Sequence, residues 1–188
     1  METRENIKFE KIDFKVEKFI RGEYDTCTFE HCNFNGVDVS YSIFVDCVFN
    51  NCDLSLAKID KVVFRNIQFR SSKLLGLQFD SANEYGLNIG FDHCTLNNSS
   101  FCNTKIKSTL FQQTQLREVD FTNCDLSEST FVQCDLHHAI FHGSNLEKVD
   151  FQTSFHYSID PQRNKLKKSK HNYPALLGLL DHLDLIVD

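Results

Sequence analysis

Every fifth residue of this chain is large and apolar over most of its length, and few folds accept that period. From Phe91 the series reads Phe91, Leu96, Phe101, Ile106, Phe111, Leu116, Phe121, Leu126, Phe131, Leu136, Phe141, Leu146 and Phe151 without a gap. Two residues before each stands a small or β-branched side chain, among them Cys94, Ser99, Thr104, Val119, Cys124, Ala139 and Val149. A helix repeats about every 3.6 residues and a strand every two, so neither produces a strict five. A short fixed period marks a stacked repeat, in which each unit buries its apolar side only against its neighbours.

The first half carries the same series in another frame. Its large positions are Phe9, Phe14, Phe19, Tyr24, Phe29, Phe34, Val39, Phe44, Phe49, Leu54, Ile59, Phe64, Phe69, Leu74 and Phe79. Small partners two residues back include Cys27, Cys32, Ser42, Cys47, Cys52, Ala57 and Ser72. Twelve residues separate Phe79 from Phe91, so the frame slips by two across residues 80–90. The slip reads as an insertion that bulges from the surface without breaking the stack.

The motif is a small residue, then Asp, Asn, Ser or Thr, then Leu or Phe, then two variable polar residues. It resembles the pentapeptide-repeat family, with Cys52-Asp-Leu-Ser-Leu, Cys124-Asp-Leu-Ser-Glu, Cys134-Asp-Leu-His-His and Ser144-Asn-Leu-Glu-Lys as signatures. The resemblance covers roughly Ile7 to Gln152. It implies an all-β fold, a right-handed quadrilateral parallel β-helix with four pentapeptides to a coil. Twenty-eight pentapeptides then make about seven coils and a rod roughly 34 Å long. Residues twenty apart should stack, which sets Phe91, Phe111, Phe131 and Phe151 in one internal column and Phe101, Phe121 and Phe141 in the opposite one.

The reading divides the chain into a β-helix over residues 1–152 and a terminal segment over residues 153–188. That segment holds a basic run, Arg163-Asn-Lys-Leu-Lys-Lys-Ser-Lys170, and a helix expected to begin at Pro174. Leu176, Leu177, Leu179, Leu180 and Leu183 cover one side of that helix, with Ile186 and Val187 near the chain end. An open coil end needs a cap. In gyrase-protecting members of the family such a helix also joins two monomers, so a homodimer through these leucines and an intramolecular cap are the two readings.

Seven of the eight cysteines, Cys27, Cys32, Cys47, Cys52, Cys94, Cys124 and Cys134, fall in the small inward slot, and Cys102 falls outward after Phe101. Buried cysteine behaves as a small hydrophobe, although Cys27/Cys47 and Cys32/Cys52 would stack within disulfide reach. His137, His138 and His142 occupy outward slots that diverge, whereas a zinc site needs convergent ligands. The sequence holds no G-x-S-x-G, H-E-x-x-H, P-loop or G-x-G-x-x-G, and a filled interior leaves no obvious pocket. These observations point to a chain that is not an enzyme and uses no metal or cofactor. The polar amino terminus and the lack of an apolar run of about 20 residues give a soluble cytoplasmic protein as the expectation.

Between Glu30 and Asp160 stand 16 acids and 9 bases, a net charge of −7. An acidic rod does not bind nucleic acid directly; it suits a protein surface that does. Its charge is about a third of that on duplex DNA of the same length, so mimicry would rest on shape and one acidic face. Similarity to the Qnr quinolone-resistance proteins and related toxin-immunity proteins implies a DNA-mimicking binder of DNA gyrase or topoisomerase IV. The competing reading is a non-catalytic scaffold for another protein partner. In either case the slip marks the candidate contact, with Asp80, Glu84, Tyr85 and Asp92 as its residues.

Overall fold

The structure, a computed structural model, describes residues 2–185; Ile186 and Val187 lie outside the described residues. Short parallel strands rise through the molecule in two sheets. The first runs β1 (Thr3–Glu5), β3 (Glu23–Asp25), β5 (Ile43–Val45) and β7 (Val63–Arg65). The second holds β2 (Lys8–Glu10), β4 (Thr28–Glu30), β6 (Val48–Asn50), β8 (Ile67–Arg70), β9 (Ile89–Asp92), β10 (Leu110–Gln112) and β11 (Thr130–Val132). Isolated parallel bridges such as Lys105↔Asp125 and Asp120↔Ile140 continue the stack along the other faces. This is the expected β-helix, with successive coils twenty residues apart.

Local geometry explains the period of five. At most corners the large residue and the next small one close a four-residue turn: Ala57 N–H donates to Leu54 O, Thr104 to Phe101 O, and Ser129 to Leu126 O. The third residue of each turn adopts a left-handed conformation, as at Asn98 (φ 62°), Asn103 (φ 58°) and Gly76 (φ 64°). Asn and Gly accept that region at least cost. The Asp slot serves the same corners. Asp53, Asp120, Asp125, Asp135 and Asp150 each accept the backbone N–H two residues on, at 2.8–3.3 Å.

The interior is a set of ring columns. Phe9, Phe29, Phe49, Phe69, Phe91, Phe111, Phe131 and Phe151 stack with neighbouring centroids 4.6–5.5 Å apart. Opposite them Phe79, Phe101, Phe121 and Phe141 stack at 4.4–5.2 Å, meeting the first column edge to face. Leu96, Leu116, Leu136, Ile106, Leu126 and Leu146 fill the remaining walls and are buried.

Both ends depart from the repeat. At the amino-terminal end Arg4, between Thr3 and Glu5, takes the slot over the column of Tyr24, Phe44 and Phe64. Its guanidinium lies 5.3 Å from the Tyr24 ring centre and pairs with Glu2 at 2.8 Å. A cation over an aromatic face is a favourable lid. At the other end stacking runs past residue 152, because the basic run belongs to the last coil. Leu146 N–H donates to Lys165 O, Lys148 to Lys167 O, and Phe151 to Lys170 O.

The expected terminal helix is instead two 3₁₀ turns, Ala175–Leu179 and Asp181–Leu183. The Gly178 carbonyl accepts the Ile159 N–H of the body at 3.0 Å, which draws it out of a helical ladder. The turns rest on a polar knot beneath them. His171 stacks on Phe151 at 5.6 Å, takes part in a hydrogen bond with Tyr157 Oη at 3.0 Å, and meets Ser169 Oγ at 2.9 Å. Burial lowers the His171 imidazole below its ordinary value, with Asp150 pulling the other way.

Two outcomes follow from this packing. Phe111→Ala should cost about 3–5 kcal/mol, since a fully buried ring leaves a cavity between two others; urea unfolding measures it. Because folding depresses the His171 pKa, the unfolded chain takes up a proton first as pH falls below the ordinary value of 6.5. The melting temperature should therefore drop over that window, and His171→Phe should flatten that part of the dependence.

Candidate partner-binding surfaces

The slip resolves into one bulge on one face. Asn83 N–H still donates to Val62 O, and Asn88 N–H returns to Phe64 O, so the extra residues stand above β7. Ala82 and Leu87 are buried on either side. Between them Asn83 Oδ1 accepts the Tyr85 N–H at 2.9 Å, and Gly86 turns the chain back at φ 80°. Tyr85 is 78% exposed at the tip and Glu84 is exposed beside it. Pairs that span the bulge are offset by twenty-two rather than twenty, as in Phe69↔Phe91 and Arg70↔Asp92, and the offset returns to twenty from Phe91↔Phe111 on.

The four residues expected to form one contact are spread over three faces. Asp80 follows Phe79, whose face continues through Gln78↔Ser100 to Phe101. Asp92 follows Phe91 on β9, on the opposite face, where His93 Nδ1 holds its carboxylate at 2.7 Å. Glu84 and Tyr85 occupy the face between. A partner wrapping the bulge could touch all four; a flat partner could not.

Part of the rod's acidity is paired internally. Asp135 accepts Arg117 Nε at 2.6 Å and the His156 ring at 3.0 Å; burial raises its pKa, but these donors outweigh it and the net shift is downward. Asp125 is shifted down in the same balance, with Ser127 and Lys107 as its partners. Asp38 pairs with Arg21, and Asp150 with Lys170.

The carboxy-terminal turns carry the leucines. A 3₁₀ turn repeats about every three residues, so Leu177, Leu180 and Leu183 form one row, each 39–47% exposed. Leu176 is 45% exposed, whereas Leu179 turns inward and packs on the core with Ala175. Beside these turns lies an open cleft of about 790 Å³ lined by His137, His138, Phe155, His156, Tyr173 and Pro174, among others. It exists only because the tail folds back, so no sequence signal announced it.

Seven cysteines are buried as expected, Cys102 is half-buried, and all are free thiols. Six of the buried sulfurs donate to backbone carbonyls, Cys47 to Tyr24 O and Cys134 to Phe111 O among them, and Cys124 Sγ meets Thr104 Oγ1 at 3.3 Å. Burial pushes the Cys94 and Cys134 thiols up to about 11 and Cys47 and Cys124 up to about 12, so they stay protonated. Among the described residues no group of three or more His, Cys, Asp or Glu is placed to hold a metal ion. No helix there is long and apolar enough to cross a membrane.

Comparison with known proteins agrees with this architecture. The sequence pattern described as a pentapeptide repeat region matches residues 87–154, and that of pentapeptide repeats in eight copies matches residues 32–66. No curated protein matches the sequence. Two trypsin-treated variants of QnrB1, a plasmid-mediated fluoroquinolone resistance protein, share the fold. One has a TM-score of 0.55 at 16% identity over 100% of both chains. The other has 0.56 at 17% over 99% of this chain and 98% of that one. By its repeat, its coil and these matches, the chain belongs to the pentapeptide-repeat family.

Proposed function

We infer that this chain is a non-catalytic binding rod whose partner is a type II topoisomerase, DNA gyrase or topoisomerase IV. Occupying the enzyme's DNA-binding surface would protect it from a quinolone or a gyrase-directed toxin. The observation that carries this reading is the end-to-end likeness of the whole chain, tail included, to a fluoroquinolone resistance protein. Filled ring columns leave flat outer faces as the working surfaces, which supports protein binding over catalysis. The length of the rod supplies the span of a short duplex, and acids that form no ion pair among the described residues, Asp60, Asp80 and Glu84 among them, supply its sign.

The contact is placed at the bulge, with Glu84 and Tyr85 leading and Asp80 and Asp92 flanking. Four changes, Asp80→Ala, Glu84→Ala, Tyr85→Ala and Asp92→Ala, combined should leave the melting temperature within a few degrees, since each side chain is at the surface. The same variant should lose protection of gyrase supercoiling against a quinolone, and wild-type protection should weaken as salt rises. Undiminished protection by the variant moves the contact elsewhere; absence of wild-type protection ends the topoisomerase reading in favour of a scaffold with another partner.

Leu176, Leu177, Leu180 and Leu183 supply an exposed apolar end suited to a second copy, with Leu179 as inner support. Leu180→Asp with Leu183→Asp should convert a dimer to a monomer by light scattering, and a monomeric wild type would remove the tail interface.

A further inference from the structure

The face that bears the bulge is electrically divided along its length. Its outward rows can be followed rung by rung: Thr3–Glu23–Ile43–Val63 and Glu5–Asp25–Val45–Arg65 on the first sheet, then Lys105–Asp125–Asn145–Lys165 beyond the bulge. The bonds Glu128 N–H to Glu147 O and Lys148 N–H to Lys167 O align the neighbouring rows. Over the first three rungs these rows hold Glu5, Glu23, Asp25 and Asp46 and no Lys or Arg. The last two hold Lys148, Lys165, Lys167 and Lys168 against Glu147 alone. Among the described residues, no ion pair involves Glu23, Asp25, Asp46, Lys165, Lys167 or Lys168. Ile43, Val45 and Val63 are half-buried on the same sheet and give its outer surface a short-chained apolar middle.

We propose that this face is a self-association surface, which pairs with the same face of a second copy of this chain running antiparallel. Place a twofold axis between the bulge and the Lys105–Lys107 rung. Rung two then meets rung nine, so Glu23 and Asp25 face the second copy's Lys165, Lys167 and Lys168. Rung three meets rung eight, and Asp46, which accepts from Asn66, faces the Lys148 that Glu128 of its own chain already pairs. Rung four meets rung seven, where Arg65 meets Glu128, which Lys148 of its own chain also holds. Rung five meets rung six, and Glu84 with Tyr85 lies over Lys105, beside the Lys107 that Asp125 holds. Glu147 meets no opposite charge in this register, and the three lysines of rung nine outnumber the two acids of rung two.

An isologous contact requires this kind of self-complementarity, whereas a heterologous, head-to-tail match would build rings or open fibres. The eight matched rungs give each copy a strip of about 34 Å by 16 Å, about 1,100 Å² in total, just above the ~1,000 Å² that a specific interface needs. Pairing of this kind is weak and salt-sensitive. It is independent of which protein the rod acts on, and because it covers Glu84 and Tyr85 it would compete with any partner docked at the bulge.

Sedimentation velocity on the full chain at about 50 mM and about 500 mM salt tests it. The expected result is a larger species at low salt that dissociates at high salt. Glu23→Lys with Asp25→Lys should abolish that species, and so should Lys165→Glu, Lys167→Glu and Lys168→Glu together. Mixing the two charge-reversed chains in equal amounts should restore it, because each end then meets its opposite. Far-ultraviolet circular dichroism and melting temperature check that both variants keep the fold. A wild-type mass indifferent to salt would overturn the proposal, as would a failure of the mixture to associate. So would an association that ignores both charge reversals and disappears only with Leu180→Asp and Leu183→Asp, since that is tail pairing.

Discussion

Everything in this molecule depends on the coil closing after twenty residues, so that each side chain meets its own kind one rung above. Parallel strands about 4.8 Å apart put phenylalanine rings at the separation that offset stacking prefers. The observed centroid distances of 4.6–5.5 Å in the longest column bracket that ladder spacing. Backbone and side chains therefore impose one repeat distance, and neither can relax without the other. The edge-to-face contacts between opposing columns, 6.2 Å at 88° for Phe101 and Phe111, then set the width of the coil. A core built this way has no room for a ligand and leaves outer faces and ends for function.

That constraint also governs the charge. At several corners the residue before the large one is an Asp that serves the turn, and a carboxylate that accepts a backbone N–H does so whether or not a partner exists. Asp53, Asp120, Asp125, Asp135 and Asp150 are structural in this sense. Net charge counts them equally with Glu84, whose carboxylate has no such duty. Any account of binding has to set these corner acids aside, and what is left is distributed by face and by rung rather than as a uniform negative coat.

Much of this was legible before the structure. The columns follow from arithmetic on Phe91 to Phe151, and so do the buried cysteines and the location of the insertion. Other features lay out of reach. Arg4 occupies an apolar slot because the ring of Tyr24 accepts a cation, a substitution that hydrophobic periodicity cannot register. The basic run looks like a loose tail, yet its backbone is the last coil, since backbone bonding does not depend on side-chain charge. A leucine-rich stretch after proline suggests a helix; a single carbonyl, that of Gly178, is committed to Ile159 instead, and the turns tighten. Asp80 and Asp92 are close in sequence and opposite in space, because half a coil and a bulge lie between them.

The bulge shows how such a rod can acquire a distinctive feature at small cost. Inserting residues inside a strand would unstack every ring above it. Here the extra residues sit between Ala82 and Leu87, leave the ladder after Asn83 and rejoin it at Asn88, and the ring columns continue through Phe69 to Phe91 at 5.5 Å. The coil above is carried forward by two residues in sequence and not displaced in space. The outward rows on either side of the bulge are consequently still in line, so the acidic rungs below and the basic rungs above belong to one continuous face. A frame slip that had rotated the upper coils would have scattered those charges over different sides, and the divided face exists only because the ring columns held their register across it.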